Sequence, residues 1–235
     1  MEIKKTLTLI LCLLFVSSCS KIPEMQTNKS LPAKVADSNI TNIVKSENVV
    51  IDEVPQIEPE IYKEVVTSED ISMWGDGCSW FCGAPFPRIS ASSFLPKNES
   101  NDYKAENIFD NKLEIAWIDG NSSYGIGEYI EFNFISELDD LGLTQISLFN
   151  GYQKSEKIWK DNSRVAKLLM YVNQKPYAVL HLMDTKQMQT FEFNEAKLEK
   201  NKDFIVRLEI VDVYKGDRYS DTAISEIDFS GTGVH

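Results

Sequence analysis

Polar and apolar residues alternate along the C-terminal half of the chain. In Glu128-Tyr129-Ile130-Glu131-Phe132-Asn133-Phe134 most even positions are apolar and most odd ones polar. The same period runs through 144–149, 165–172, 177–183, 190–193, 204–213 and 224–229. Phe204, Val206, Leu208 and Ile210 share one face of their run, and Arg207 and Glu209 stand opposite. A strand sends successive side chains to opposite faces, so this pattern predicts strands buried on one side. Seven or eight such strands in about 145 residues predict an all-β fold, an antiparallel β-sandwich. Helical periodicity is weak, and a short turn near 105–109 is its best candidate. No internal repeat or low-complexity tract interrupts the series.

The N-terminal third differs. Lys4 and Lys5 precede an apolar run over 7–16, which ends in Val16-Ser17-Ser18-Cys19. A basic start, a short apolar core and small residues predict a signal peptide over 1–18, too short to span a bilayer. A cysteine at that junction is the bacterial lipoprotein signature, so Cys19 is the predicted lipidation site (palmitate) and mature N-terminus. The expected location is the bacterial cell envelope, extracytoplasmic and lipid-anchored to a membrane. Residues 19–72 read as a flexible tether. Its sole aromatic is Tyr62, and it holds Pro23, Pro32, Pro55 and Pro59, half of the chain's eight prolines. Such a segment buries too little apolar surface to offset its ordering entropy, and as a coil it would reach about 40 Å. From Trp74 aromatics and glycines arrive together, and a single domain over 73–235 is expected.

Charge and cysteines narrow the function classes. The net charge of −12 argues against nucleic acid, since phosphate binding needs a basic face. Of four cysteines, Cys12 leaves with the signal and Cys19 carries lipid. Cys78 and Cys82 remain, and in an exported protein this pair predicts a disulfide shaping a turn around Trp80. A catalytic thiol pair is the rival reading. It lacks the two-residue spacing of thioredoxin-type motifs and has no histidine close in sequence. A zinc site would need more ligands.

The stretch Tyr103-Lys104-Ala105-Glu106-Asn107-Ile108-Phe109-Asp110-Asn111-Lys112-Leu113-Glu114-Ile115-Ala116-Trp117 carries a resemblance. Further on come Asn150-Gly151-Tyr152-Gln153-Lys154-Ser155, Asn162-Ser163-Arg164-Val165, Tyr214-Lys215-Gly216 and Asp221-Thr222-Ala223-Ile224-Ser225-Glu226-Ile227. In this order they resemble discoidin-like, coagulation-factor type C and related carbohydrate-binding modules. They are most similar to the discoidin-type translocation, glycan-binding domain of bacterial NAD glycohydrolases, over about residues 73–231. The resemblance implies a galactose-binding-like jelly roll that recognises glycans. These residues leave no room for an NAD-cleaving domain, so NAD hydrolysis is not expected.

Two sites follow. Related modules often bind calcium through an aspartate loop and a glutamate of the last strand. The matching positions are Asn107, Asp110, Lys112, Ile115 and Glu226. Calcium takes oxygen ligands in a flexible shell, including carbonyls of any residue. Ile115 departs from the Thr or Ser common there, which removes a hydroxyl ligand. The alternative is that Asp110 caps the turn and Glu226 pairs with a lysine. The second site is a ligand face. Sugar sites join an aromatic plate to a few fixed polar groups. Trp117, Asp119, Tyr152, Lys154, Trp159, Asn162 and Arg164 fall in or beside predicted loops, where a rigid sandwich carries recognition. Tyr152 and Arg164 are the leading contact candidates. The alternatives are that Trp117 belongs to the core and that Tyr152 and Arg164 close strand ends.

Catalysis has little basis. His181 and His235 are the only histidines, a Ser-His-Asp set would have to use His181, and no G-x-S-x-G motif occurs. The expected function is a non-catalytic glycan-binding module, held on the membrane by lipid, monomeric, with calcium as a candidate cofactor. A protein-binding or scaffolding lipoprotein using the same loops is the main alternative, and a glycoside hydrolase a weaker one.

Overall fold

The computed structural model describes residues 49–63, 80, 86–98 and 100–233. The signal segment, Cys19, the Cys78–Cys82 pair, most of the 74–86 aromatic cluster and His235 lie outside the described residues. Among the described residues no helix is long and apolar enough to cross a membrane.

Among the described residues eleven strands form: β1 (Gln56–Ile57), β2 (Glu60–Ile61), β3 (Arg88–Ala91), β4 (Trp117–Ile118), β5 (Tyr129–Ile135), β6 (Gly142–Asn150), β7 (Ser163–Val172), β8 (Lys175–His181), β9 (Gln189–Lys197), β10 (Asp203–Tyr214) and β11 (Thr222–Thr232). They hydrogen-bond in the order β2-β9-β6-β11-β7-β10-β5-β3, with β8 against β7 and β1, and β4 against β11. The long pairings are antiparallel, and short parallel ones join β1 to β8 and β11 to β7.

The path folds over at β11. Thr222 and Ala223 pair with Ser163 and Arg164 of β7, whereas Glu226 onwards pairs with β6. Past that point the two layers face each other. Phe132 of β5 and Phe229 of β11 are not ladder neighbours, yet their rings meet edge-on at 4.7 Å. Ile146, Leu148, Phe191 and Ile227 of one layer join Ile130, Leu168, Val206 and Leu208 of the other in a single core. This is the antiparallel sandwich that the alternation predicts, in the jelly-roll form that the resemblance implies. Trp80 closes the core against Phe134, ring centres 5.7 Å apart.

β7 is buried on both faces. Leu168 and Met170 enter the main core, while Leu169 and Tyr171 form a second cluster with Val179. Ile51, with Val49 and Val54, covers that cluster. The expectation of a free tether to residue 72 is therefore corrected: residues 49–62 are docked. β1 lies parallel to Val179 and Leu180 of β8, and β2 antiparallel to Thr190 and Gln189 of β9. Gln56 secures the crossing, donating from Nε2 to Ile51 O at 2.9 Å with its Oε1 2.6 Å from His181 Nε2. The apolar positions Val49, Ile51, Val54, Ile57 and Ile61 were diluted by the polar residues around them. Each docks on a surface that belongs to distant strands.

One helix was not legible either. α1 (Glu156–Asp161) is too short for an apolar stripe and is defined by its ends. Ser155 Oγ accepts the Ile158 N–H at 3.2 Å, and Asn162 Nδ2 donates to Ile158 O at 2.8 Å. The predicted turn near 105–109 is a 3-10 turn over Ala105–Phe109.

The docked segment makes a direct prediction. Ile51→Ala should lower unfolding stability by about 2 kcal/mol, as for removal of a buried branched side chain, while exposed Asp52→Ala should change it by less than about 0.5 kcal/mol. Urea midpoints measure both, and equal midpoints would mean that the segment is not docked.

Candidate functional site

Several loops meet at the start of β11. Asp119, fully buried, anchors them. Its carboxylate accepts the N–H of Thr222 at 2.6 Å and of Asn121 at 2.8 Å. Gly125 packs on it with φ +65°, and a Cβ there would lie 2.9 Å from Asp119 Cγ. Any other residue at 125 would push the carboxylate off its amides. Burial raises the Asp119 pKa to about 6 against the pull of those amides. Although burial also acts to raise it, Glu128 sits below its ordinary range. Ser92 Oγ at 2.5 Å, Ser93 Oγ at 2.6 Å and Asn121 Nδ2 at 3.1 Å donate to it.

Beside this anchor lies a cleft of about 270 Å³. Leu95, Ile118 and Ile158 give it an apolar floor. Tyr103 and Tyr152 meet edge to face, 6.3 Å apart at 88°. Asn101, Lys154, Asn162 and Asp221 supply polar groups, and Tyr219, 41% exposed, stands at the rim. Among the described residues nothing hydrogen-bonds the Tyr152 hydroxyl or the Asp221 carboxylate. Burial raises the Tyr152 pKa, with help from Tyr103, so its hydroxyl keeps its proton. Burial alone raises that of Asp221. The cleft thus presents a fixed aromatic wall, one open hydroxyl and one open carboxylate.

The aspartate loop forms a second feature. Asn107 Nδ2 donates to Asp102 O at 2.7 Å and Ala116 O at 3.2 Å, drawing the loop's ends together. Asn111 turns the chain with φ 60°. The Lys112 N–H is then shared by two carboxylates, Asp110 Oδ1 at 3.0 Å and Glu226 Oε2 at 3.2 Å. Lys112 Nζ reaches Asp110 Oδ2 at 3.6 Å from a mostly exposed position. Glu226 is 2% exposed, and its pKa is pushed up to about 9, by burial first and then by the Asp110 charge. Among the described residues no cluster of three His, Cys, Asp or Glu side chains forms. A cation here would be held by two carboxylates and loop carbonyls, a hard oxygen set that suits calcium rather than zinc. Asp110 and Glu226 repel when both are ionised, a cost that a divalent cation would relieve.

The predicted ligand residues divide. Tyr152, Lys154 and Asn162 line the cleft. Asn162 spends its amide on the end of α1. Asp119 lies beneath the cleft and anchors its loops. Trp117 is 1% exposed, a core residue whose Nε1 donates to Ser93 O at 3.0 Å. Arg164 does not line the cleft. It is clamped by Asp184, Nε to Oδ1 at 2.9 Å and Nη2 to Oδ2 at 2.8 Å, and lies 4.5 Å over the Trp159 ring. Gly151, with φ +77°, makes room for that stack, since a Cβ would lie 2.6 Å from Arg164 Cγ. A strand-closing role fits Arg164 and a core role fits Trp117. Leu95, Asn101, Tyr103 and Tyr219 were not anticipated, because their loops meet only in the fold.

The raised carboxylates set a pH dependence. A group whose pKa is higher folded than unfolded binds more protons in the folded state, so stability falls as pH rises between the two values. Glu226 spans ordinary carboxylate values to about 9, and Asp119 and Asp228 end at about 6. Calcium-free protein should therefore lose melting temperature steadily from pH 5 to 9. Glu226→Gln should flatten the part above pH 6. Parallel slopes for wild type and variant would exclude an uncompensated Glu226.

No curated protein matches the chain. Among solved structures it is similar to CpGH89CBM32-5 from Clostridium perfringens in complex with GalNAc-β-1,3-galactose, at 16% identity and TM-score 0.44, covering 61% of this chain and 94% of that one. It is similar to the CBM32-1 and CBM32-2 domains of Clostridium perfringens ZmpB with GalNAc, at 11% identity and TM-score 0.47, covering 77% of this chain and 40% of that one. A third is the family 32 carbohydrate-binding module of C. perfringens NanJ with galactose, at 14% identity and TM-score 0.43, covering 61% and 92%. The model of the NAD glycohydrolase translocation F5/8 type C domain matches residues 80–230. With its sandwich, aspartate loop and β11 junction accounted for, the chain belongs to the NAD glycohydrolase translocation F5/8 type C domain family.

Proposed function

We propose that this protein is a non-catalytic glycan-binding module, displayed at the cell envelope by a lipid on Cys19. The cleft beside β11 carries the reading. Sugars offer apolar C–H faces and rings of hydroxyls, and such ligands call for a fixed aromatic wall with a few oriented polar groups. Tyr103 and Tyr152 provide the wall, and the Tyr152 hydroxyl and Asp221 carboxylate are open to sugar hydroxyls. Both groups sit on loops pinned to β11, so little ordering is needed on binding. Calcium bound between Asp110 and Glu226 would neutralise the carboxylates and stiffen the loop that continues into β4. The described histidine is remote from this chemistry: His181 holds Gln56 of the docked segment. The envelope-anchored protein acts as a monomer.

A glycan-array screen of the full chain, with calcium and with chelator, tests the reading. Binding should be specific, and Tyr152→Phe should weaken it about three- to tenfold, the cost of one hydrogen bond. Calcium should raise the melting temperature of wild type and leave Glu226→Gln unmoved. A folded, calcium-loaded protein that binds nothing on the array would refute the glycan role. The anchor is checked separately. Cells fed labelled hexadecanoate should label wild type and not Cys19→Ala, and an unlabelled wild type would remove the lipid.

A further inference from the structure

The chain carries 36 acidic and 24 basic residues, yet the cations around the cleft are left without acidic partners. Lys154 Nζ lies 2.8 Å from Asn101 Oδ1, a neutral amide, and 6.0 Å from the Tyr152 ring centre. The Arg218 guanidinium sits 5.0 Å over the ring of Tyr219, which lines the cleft. Lys215 sits 5.0 Å over Tyr124, whose carbonyl accepts the Thr222 hydroxyl at 2.9 Å. Among the described residues none of the three lies within ion-pair distance of a carboxylate. The lysines of α1 and of the β8–β9 connection behave differently. Lys157 pairs with Asp161, and Lys160 and Lys186 with Glu156. A ring face steadies a cation without neutralising it, so these three hold their charge in place and keep it available.

We propose that the cleft selects glycans bearing an acidic group, a uronate carboxylate or a sulfate ester, and that Lys154 is the residue that takes it. This rests on the glycan reading of the same cleft. Lys154 is held on the rim by a partner that an anion can displace at no electrostatic cost. Arg218, over the rim residue Tyr219, adds positive charge at the mouth, against the acidic remainder of the molecule. Tyr152 and Asp221 are left for neutral hydroxyls on the same saccharide. An acidic group at the Lys154 end and hydroxyls at the Asp221 end would fix one orientation of the sugar.

An array of neutral glycans with their uronate- and sulfate-bearing counterparts tests this, followed by calorimetry on the calcium-loaded full chain. The acidic member of a pair should bind roughly tenfold tighter at low salt, the worth of a hydrogen bond to a charged group. That advantage should shrink as salt rises to about 0.5 M. Lys154→Gln should weaken acidic binding about tenfold more than it weakens neutral binding, and Lys154→Arg should keep most of the preference. The side chain is exposed, so the variants are expected to fold, and their melting curves check this. Uronate preferred over sulfate, or the reverse, identifies the anion. Neutral glycans bound as tightly as acidic ones, or a preference that survives Lys154→Gln, would overturn the selection and leave the glycan role standing. No binding to any glycan would overturn both.

Discussion

Four of the first five residues of β11 hold the working end of this molecule. Thr222 gives its N–H to Asp119 at 2.6 Å, and its carbonyl takes the Asp119 N–H at 3.1 Å. Ala223 O accepts from Gly151 N–H at 3.1 Å. Ser225 Oγ donates to Leu113 O at 3.0 Å and accepts from Gln153 N–H at 2.9 Å. Glu226 takes the Lys112 N–H. The loops around 112, 119, 151 and 153 are thus tied to one strand that itself belongs to both layers. Without that strand the loops would be long and solvated, and neither the cleft nor the aspartate loop would have a fixed shape. Recognition on loops needs such a rigid base.

The sandwich was legible in the sequence because one face of each strand is buried, and a period of two survives any amount of loop variation. β5, β6, β7, β8, β9, β10 and β11 all overlap the predicted runs. What escaped has a common physical cause. The segment over 49–62 gains its order from β7, β8 and β9, so its own sequence looks like linker. α1 is held by capping at Ser155 and Asn162, which leaves no periodicity to read. Strand content is local information, whereas docking and capping depend on partners elsewhere.

Site residues were legible in part, and two cations show why. Arg164 and Lys154 both fall in or beside predicted loops in polar sequence, and each looks like a ligand contact. In the fold Arg164 meets Asp184 with two parallel hydrogen bonds and rests on Trp159, a bidentate arrangement that satisfies it fully. Lys154 meets only the neutral amide of Asn101. One cation is spent on architecture, the other is not. The distinction depends on the β8–β9 connection that delivers Asp184, a segment twenty residues from Arg164, and no local pattern announces it. Trp117 follows the same logic: its neighbours on β11 bury it.

The buried carboxylates divide in the same way. Asp119 is fully buried but receives two amide hydrogen bonds of its own, and burial leaves it only at about 6. Such a group is a satisfied structural pin. Glu226 also receives backbone N–H groups, one of them shared with Asp110, yet burial and the Asp110 charge drive it to about 9. A fold selected for stability alone would place glutamine or an apolar residue there, because an uncompensated buried acid destabilises. A buried acid held beside a second acid is the arrangement that a positive charge would complete. The same reasoning applied in reverse marks the cleft rim. Cations kept apart from the abundant carboxylates of an acidic chain are intelligible when something negative completes them. The two ends of this charge pattern are built into neighbouring loops of one strand, so metal and ligand would each find a site already paired with its opposite sign.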